Sequence, residues 1–189
     1  MFKPFAQRES EEMKDVLMNS NDNGPSVHYY MIRGGKDKTN ITVLEPGLVG
    51  DEYIKTYGHY HVGDLSETYS ILQGTGAILL QKRKKDANGK PLDNEIEFFK
   101  VIYVKPGDKV FIEQEVGHLV VNTGDIWLVL SDDSPVNIDD SESSDMPGHA
   151  DYEPVKKMGG FAYFLTKKDS ASVLVKNSKY VDVPEAYIE

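Results

Sequence analysis

Two periodicities divide the chain. Between Glu9 and Asn19, Met13, Val16 and Leu17 recur at helical spacing among charged residues, which predicts one short amphipathic helix. After the turn-rich stretch from Asn21 to Pro25 the pattern changes to short β-branched and aromatic runs punctuated by Gly, Pro, Asn and Asp. The strands this predicts are His28–Arg33, Asn40–Leu44, Glu67–Leu72, Ala77–Lys82, Ile96–Tyr103, Lys109–Ile112, Leu119–Asn122, Ile126–Leu130, Phe161–Thr166 and Ser172–Val175. Many short strands with little helix imply an all-β sandwich or barrel. Asn88-Gly89-Lys90-Pro91 marks a hairpin tip, and the neighbouring run Lys82-Arg83-Lys84-Lys85 reads as its solvated end rather than a phosphate patch. Phe98, Phe99, Ile102, Val104 and Trp127 read as interior, and His28 as structural or exposed. Residues 132–151 hold seven Asp or Glu with Pro and Ser, the composition of a long acidic surface loop or lid.

Composition narrows the chemistry. The 189 residues carry 31 acidic and 21 basic side chains, a net charge of -10 that repels nucleic-acid phosphates and anionic membranes. Neither is expected as a partner. No apolar run is long enough to span a bilayer, and Met1 to Asn19 lacks a signal-peptide core, so a cytoplasmic protein is expected. With no Cys, thiolate nucleophiles, disulfides and cysteine metal sites are excluded, and any metal has to be held by His and carboxylates. There are five His, so a cluster among them is informative.

Such a cluster is present. In Lys55-Thr56-Tyr57-Gly58-His59-Tyr60-His61 the two His are two apart and share a strand face. Glu67 opens the next strand, and His118 opens a further one that could complete the set across a barrel. Three imidazoles and one carboxylate suit a divalent first-row ion with positions left open for water or substrate. Tyr69 shares the strand face of Glu67.

His59-x-His61-x5-Glu67-x6-Gly74, followed by Pro106-Gly107-Asp108 and Gly117-His118-x3-Asn122, resembles the two-part motif of the cupin superfamily. Thr42 in Ile41-Thr42-Val43-Leu44-Glu45-Pro46-Gly47, the run from Glu52 to His61, Asn122-Thr123-Gly124-Asp125, Gly148-His149-Ala150-Asp151-Tyr152 and Gly159-Gly160-Phe161-Ala162-Tyr163 look like the cupin-type glucose-6-phosphate isomerases. That resemblance implies a single-domain cupin, a double-stranded β-helix barrel over 26–189 with residues 1–25 as helix and arm. It implies one divalent ion per subunit on His59, His61, Glu67 and His118, iron first, with Mn, Ni, Co or Zn as alternatives. It further implies substrate contacts from Thr42, Thr56, Gly58, Tyr69, His149 and Tyr152, and Glu67 as the base if it can leave or share the metal. A sugar-phosphate substrate and a homodimer with exchanged N-terminal strands around Ser26–Arg33 are implied as well.

Isomerisation moves hydrogen between C1 and C2, either as a proton through an enediol or as a direct hydride shift, and the residues do not separate the two. A related sugar or sugar phosphate as substrate, a cupin dioxygenase and a non-catalytic sugar-binding cupin are the competing readings. The acidity leaves one puzzle: local groups have to hold a dianionic phosphate, with Lys55 and the Thr42 and Thr56 hydroxyls as candidates. For Lys55 the alternative is an exposed lysine at a strand edge.

Overall fold

A computed structural model describes residues 5–32, 39–134 and 150–189. In chain order the elements begin with β1 (Phe5–Glu9), α1 (Ser10–Met13, extended by a 3-10 turn over Lys14–Val16), β2 (Val27–Ile32), β3 (Asn40–Leu44), β4 (Leu48–Val49) and β5 (Glu52–Tyr53). They continue with β6 (Tyr60–His61), β7 (Glu67–Gln73), β8 (Gly76–Lys85), β9 (Pro91–Val104), β10 (Lys109–Ile112) and β11 (Val116–Asn122). The remainder is β12 (Leu128–Asp132), β13 (Ala150–Asp151), α2 (Glu153–Met158), β14 (Tyr163–Lys168), β15 (Ala171–Lys176) and β16 (Tyr187–Ile188).

A six-stranded sheet runs in the order β1-β2-β3-β12-β7-β10, and facing it is a four-stranded sheet, β11-β8-β9-β16. Two smaller sheets, β13-β6 and β15-β14-β5-β4, complete the expected all-β architecture. Period two explains which face is inside. On β7 Glu67, Tyr69 and Ile71 are buried while Thr68 and Ser70 are half-buried, and β12 buries Leu128, Leu130 and Asp132. The apolar centre of β8 and the whole of β11 are buried on both faces, and the continuous apolar stretches Ala77–Leu80 and Leu119–Val121 lie within them. One hydrophobic cluster joins these elements to Met13, Val16 and Leu17 of the N-terminal segment.

Asn40–Leu44 and Lys109–Ile112 coincide with the expected strands, and the β8–β9 hairpin turns at Asp86–Lys90, where Gly89 adopts φ +81° and donates to the Asp86 carbonyl. The basic run at its base is solvated and paired: Arg83 with Asp93, Lys84 with Asp182, Lys85 with Glu115.

Several expectations need correction. The helix expected over Glu9–Asn19 stops at Val16 because the next backbone groups are diverted: the Val16 carbonyl accepts from Lys55 Nζ at 2.7 Å and the Met18 amide donates to Glu52 at 2.8 Å. Trp127 is not core. Its strand starts one residue later, at Leu128, leaving Trp127 39% exposed beside Tyr30 with ring centroids 6.0 Å apart. Phe99 and Val104 are interior, whereas Phe98 and Ile102 are only partly buried.

His28 is fully buried, and neither ring nitrogen has a hydrogen-bond partner among the described residues. Burial, reinforced by the nearby Lys55 charge, lowers its pKa to about 4. The folded protein therefore keeps His28 neutral while the unfolded chain protonates near pH 6.5. This stability difference is absent above that value and grows as pH falls toward 4, reaching about 3 kcal/mol. A His28→Leu variant should gain roughly 2 kcal/mol more over wild type at pH 4.5 than at pH 8, measured by urea unfolding of metal-free protein. An equal gain at both pH values would contradict the assignment.

Candidate metal centre

The segment Lys55–His59 is laid against β11 by backbone bonds. The Thr56 amide donates to the Val120 carbonyl at 2.8 Å, and His59 and His118 exchange amide-to-carbonyl bonds of 3.2 and 3.0 Å. Gly58 makes the bend between them possible. Its φ is +82°, and a Cβ there would lie 2.9 Å from Phe161, so a side chain would be both strained and crowded. Beyond the bend, Tyr60 turns into the core, where Gln81 Nε2 donates to its hydroxyl at 2.8 Å and the Arg83 guanidinium lies 4.1 Å from its ring centroid. Gly117 leaves room for that ring: a Cβ on it would sit 2.6 Å from Tyr60 Cζ. With Tyr60 locked inward, its neighbours His59 and His61 project to the other side.

There the rings of His59, His61 and His118 converge, with centroid separations of 5.1 Å (His59–His61), 4.4 Å (His59–His118) and 4.9 Å (His61–His118). Glu67 joins them, its Oε1 3.5 Å from His61 Nε2 and 2.7 Å from His118 Nε2. One potential ligand atom from each of the four residues lies within 4.8 Å of the others, a spacing that could hold one ion.

The polar atoms themselves test whether a cation fits. Glu67 Oε1 and His118 Nε2 are buried and close, yet neither makes a hydrogen bond of acceptable geometry among the described residues. His118 Nδ1 faces the Val116 carbonyl at 3.2 Å; donation to that carbonyl leaves a lone pair on Nε2, aimed at a carboxylate oxygen. Two electron-rich atoms meeting in this way, with two further imidazoles around them, suit a shared cation.

The surrounding electrostatics agree. Burial raises the Glu67 pKa, but positive charge at His118 and His61, the place a bound cation would take over, outweighs it and holds the carboxylate below its usual range. Burial and the proximity of His118 keep the His61 imidazole toward the neutral form a ligand requires. Tyr69 is held well above an ordinary phenol, first by burial and then by Glu67 and Asp132, and so remains a proton donor. Its ring meets His118 edge-on at 5.6 Å.

The other sequence-predicted residues divide. Tyr152 packs against His59 at 5.4 Å and against Tyr57 at the same separation. Thr42 faces inward on β3, level with Leu130 and Ile71 and thus four residues along the sheet from Glu67. The Thr56 hydroxyl accepts the Val120 amide at 3.0 Å, a structural bond that still leaves its proton for donation. His149 lies outside the described residues. Lys55 is neither a phosphate ligand nor an exposed edge lysine. It is 3% exposed, paired with Glu52, bonded to the Val16 carbonyl and 4.9 Å from the Phe164 ring centroid.

Two groups escaped the sequence reading. Asn40 donates to Asp132 at 2.8 Å on the inner face beside Tyr69, and burial together with Glu67 raises the Asp132 pKa. Counting by twos from Thr42 and from Tyr69's strand would have placed Asn40 on that face. Arg8, over the rings of Tyr57 and Tyr152, sits in no motif. Residues 135–149, most of the expected acidic loop, lie outside the described residues; on either side of them Asp133 accepts the Thr68 amide at 2.7 Å, and Ala150 pairs with His61.

A sequence model described as glucose-6-phosphate isomerase (GPI) matches residues 13–183. Among curated proteins, a glucose-6-phosphate isomerase of Thermococcus onnurineus is 31% identical over 140 residues, covering 74% of this chain and 62% of that protein. Those of Thermococcus litoralis and Pyrococcus furiosus are 38% identical over 93 residues and 39% over 85, covering 47% and 44% of this chain and 43% and 39% of theirs. The matches thus span less than two thirds of the length of these relatives. The family match contains all four residues of the His–Glu cluster and extends over most of the chain, which therefore belongs to the glucose-6-phosphate isomerase family.

Proposed function

We propose that this chain interconverts glucose 6-phosphate and fructose 6-phosphate, using one first-row divalent ion held by His59, His61, Glu67 and His118. The observation that carries this reading is the convergence of those four ligand atoms inside the region matched by the isomerase family. When bound, the ion would supply Lewis acidity to the sugar's carbonyl end. Iron is the first candidate, with Mn, Ni, Co or Zn as alternatives, since the nitrogen and oxygen donor set suits each.

The chain's own residues supply the rest. Glu67, ionised and buried, would take the C2 proton and return it at C1, and the Tyr69 phenol, kept protonated, would donate to a sugar oxygen. A direct hydride shift would need only the positioning part of this apparatus. Running glucose 6-phosphate to fructose 6-phosphate in deuterated water separates the two routes: deuterium at C1 of the fructose 6-phosphate supports Glu67 as base, and full retention of substrate hydrogen contradicts that role.

Tyr152 and Tyr57 would pack along the sugar. The reaction belongs to glycolysis and gluconeogenesis, a cytoplasmic setting, and a homodimer is the assembly this family membership suggests. Within this chain the segment expected to exchange, β2, pairs with its own β1 and β3. Among the described residues, no helix is long and apolar enough to cross a membrane.

A coupled assay of fructose 6-phosphate conversion with metal-replete protein tests the substrate, run beside other ketose phosphates and free pentoses. Fructose 6-phosphate should be turned over fastest. No turnover at confirmed metal occupancy would overturn the substrate while leaving the His–Glu cluster intact.

A further inference from the structure

With Lys55 consumed by Glu52, a dianionic substrate needs another cation, and the chain's net charge of -10 makes that need acute. Arg8 meets it. On β1 it lies opposite Tyr29 of β2, whose side chain is buried on the inner face. Its Nε donates to the Tyr29 hydroxyl at 3.3 Å and its Nη1 to Glu12 at 3.1 Å. The guanidinium lies 5.6 Å from the Tyr57 ring centroid and 5.5 Å from that of Tyr152. Tyr152 in turn touches His59, so one aromatic ring separates this cation from the metal-ligand cluster.

Three features suit Arg8 to an anionic ligand. Only two of its five N–H donors are committed to partners among the described residues, and the planar fork matches phosphate oxygens bidentately. Its side chain is 23% exposed, so it is held in place yet reachable. Its charged partner Glu12 is 46% exposed, and such a surface pair is weak enough for a dianion to displace. Arg8 precedes the first residue matched by the isomerase family, and nothing in that match assigns it a role.

We propose that Arg8, with Tyr57 and Tyr152, seats the phosphate end of the substrate, so that the carbonyl end of the sugar chain reaches the His59–His118 cluster. This deepens the isomerase reading and rests on it for the identity of the sugar. The phosphate seat itself can be tested without turnover.

Inorganic phosphate is titrated calorimetrically into EDTA-treated wild type, Arg8→Met, Arg8→Lys and Glu12→Gln. Arg8→Met keeps the aliphatic stem over the tyrosines, and its thermal midpoint reports whether the fold survives. Loss of one charge-assisted bidentate contact should weaken phosphate at least about 10-fold in Arg8→Met, with partial rescue in Arg8→Lys. Glu12→Gln should tighten it by removing the competitor. In the metal-replete enzyme, Arg8→Met should raise KM for fructose 6-phosphate by roughly 10-fold or more, with a smaller change in kcat. Phosphate binding and KM equal to wild type in a folded Arg8→Met protein would overturn the seat, even if the isomerase activity stands. Arg8-dependent phosphate binding without fructose 6-phosphate turnover would leave the seat standing and overturn the isomerase reading instead.

Discussion

His118→Ala should abolish the proposed metal binding and the proposed isomerase activity together. His118 is 1% exposed and lies nearest to Glu67 of the three imidazoles, and its β11 strand is what brings the third nitrogen to the His59–His61 pair. Removing it leaves two imidazoles and a buried carboxylate that has lost the closer of its two His contacts. Disturbing even the outer partners of a ligating His commonly costs 10- to 100-fold in metal affinity, so deleting the ligand itself should lower affinity and turnover by more than about 100-fold. Metal analysis after gel filtration, with circular dichroism to confirm the fold, checks the result. Metal retained at the wild-type ratio would remove His118 from the ligand set.

Lys55→Ala should be the most destabilising single change outside the site. Lys55 and Glu52 are both nearly fully buried and bond to each other, while Glu52 also takes the Met18 amide and Lys55 the Val16 carbonyl. The pair therefore ties β5 and the following segment to the end of α1. Removing the lysine strands a buried carboxylate, at a cost of about 3–5 kcal/mol, which for a chain of this size lowers Tm by roughly 10 °C. The double variant Lys55→Met with Glu52→Leu should recover more than half of that loss, because no charge is left unpaired. Differential scanning calorimetry distinguishes the outcomes; a single-variant loss of less than about 1 kcal/mol would show that the pair is solvated rather than buried. Because α1 follows directly on β1, Lys55→Ala should also weaken phosphate binding at Arg8.

The two buried pairings had unequal visibility in the sequence. Glu67, Tyr69 and Ile71 alternate on one strand, and His59 and His61 are two apart, so the ligand faces could be read by counting. Lys55 could not be read that way. Its burial depends on a contact with Val16, 39 residues earlier, that no local period encodes. The same contact shortened the first helix, whose apolar spacing alone predicted a longer one. Trp127 sits in an apolar run that reads as core, but Asn122 holds the Ile126 carbonyl at 2.9 Å, and the strand begins only at Leu128.

Two-residue strands such as β5, β6 and β13 are too short to show a period, and each exists through its partner. By contrast α2 had readable signals that went unused. Pro154 stands at its start and Gly159, with φ +66°, closes it. Arg8 carried no signal, since one basic residue in an acidic N-terminal segment acquires meaning only when β1 pairs with β2.

In the proposed function, a metal held by the His59–His61–Glu67–His118 cluster makes this chain an isomerase. The most direct test is stepwise addition of Fe(II), or Mn(II) under air, to EDTA-stripped protein while fructose 6-phosphate turnover is followed. Activity should be negligible at the start and rise linearly to a break at one ion per chain. Full activity in stripped protein, or a rise with no break at that ratio, would contradict the proposed function.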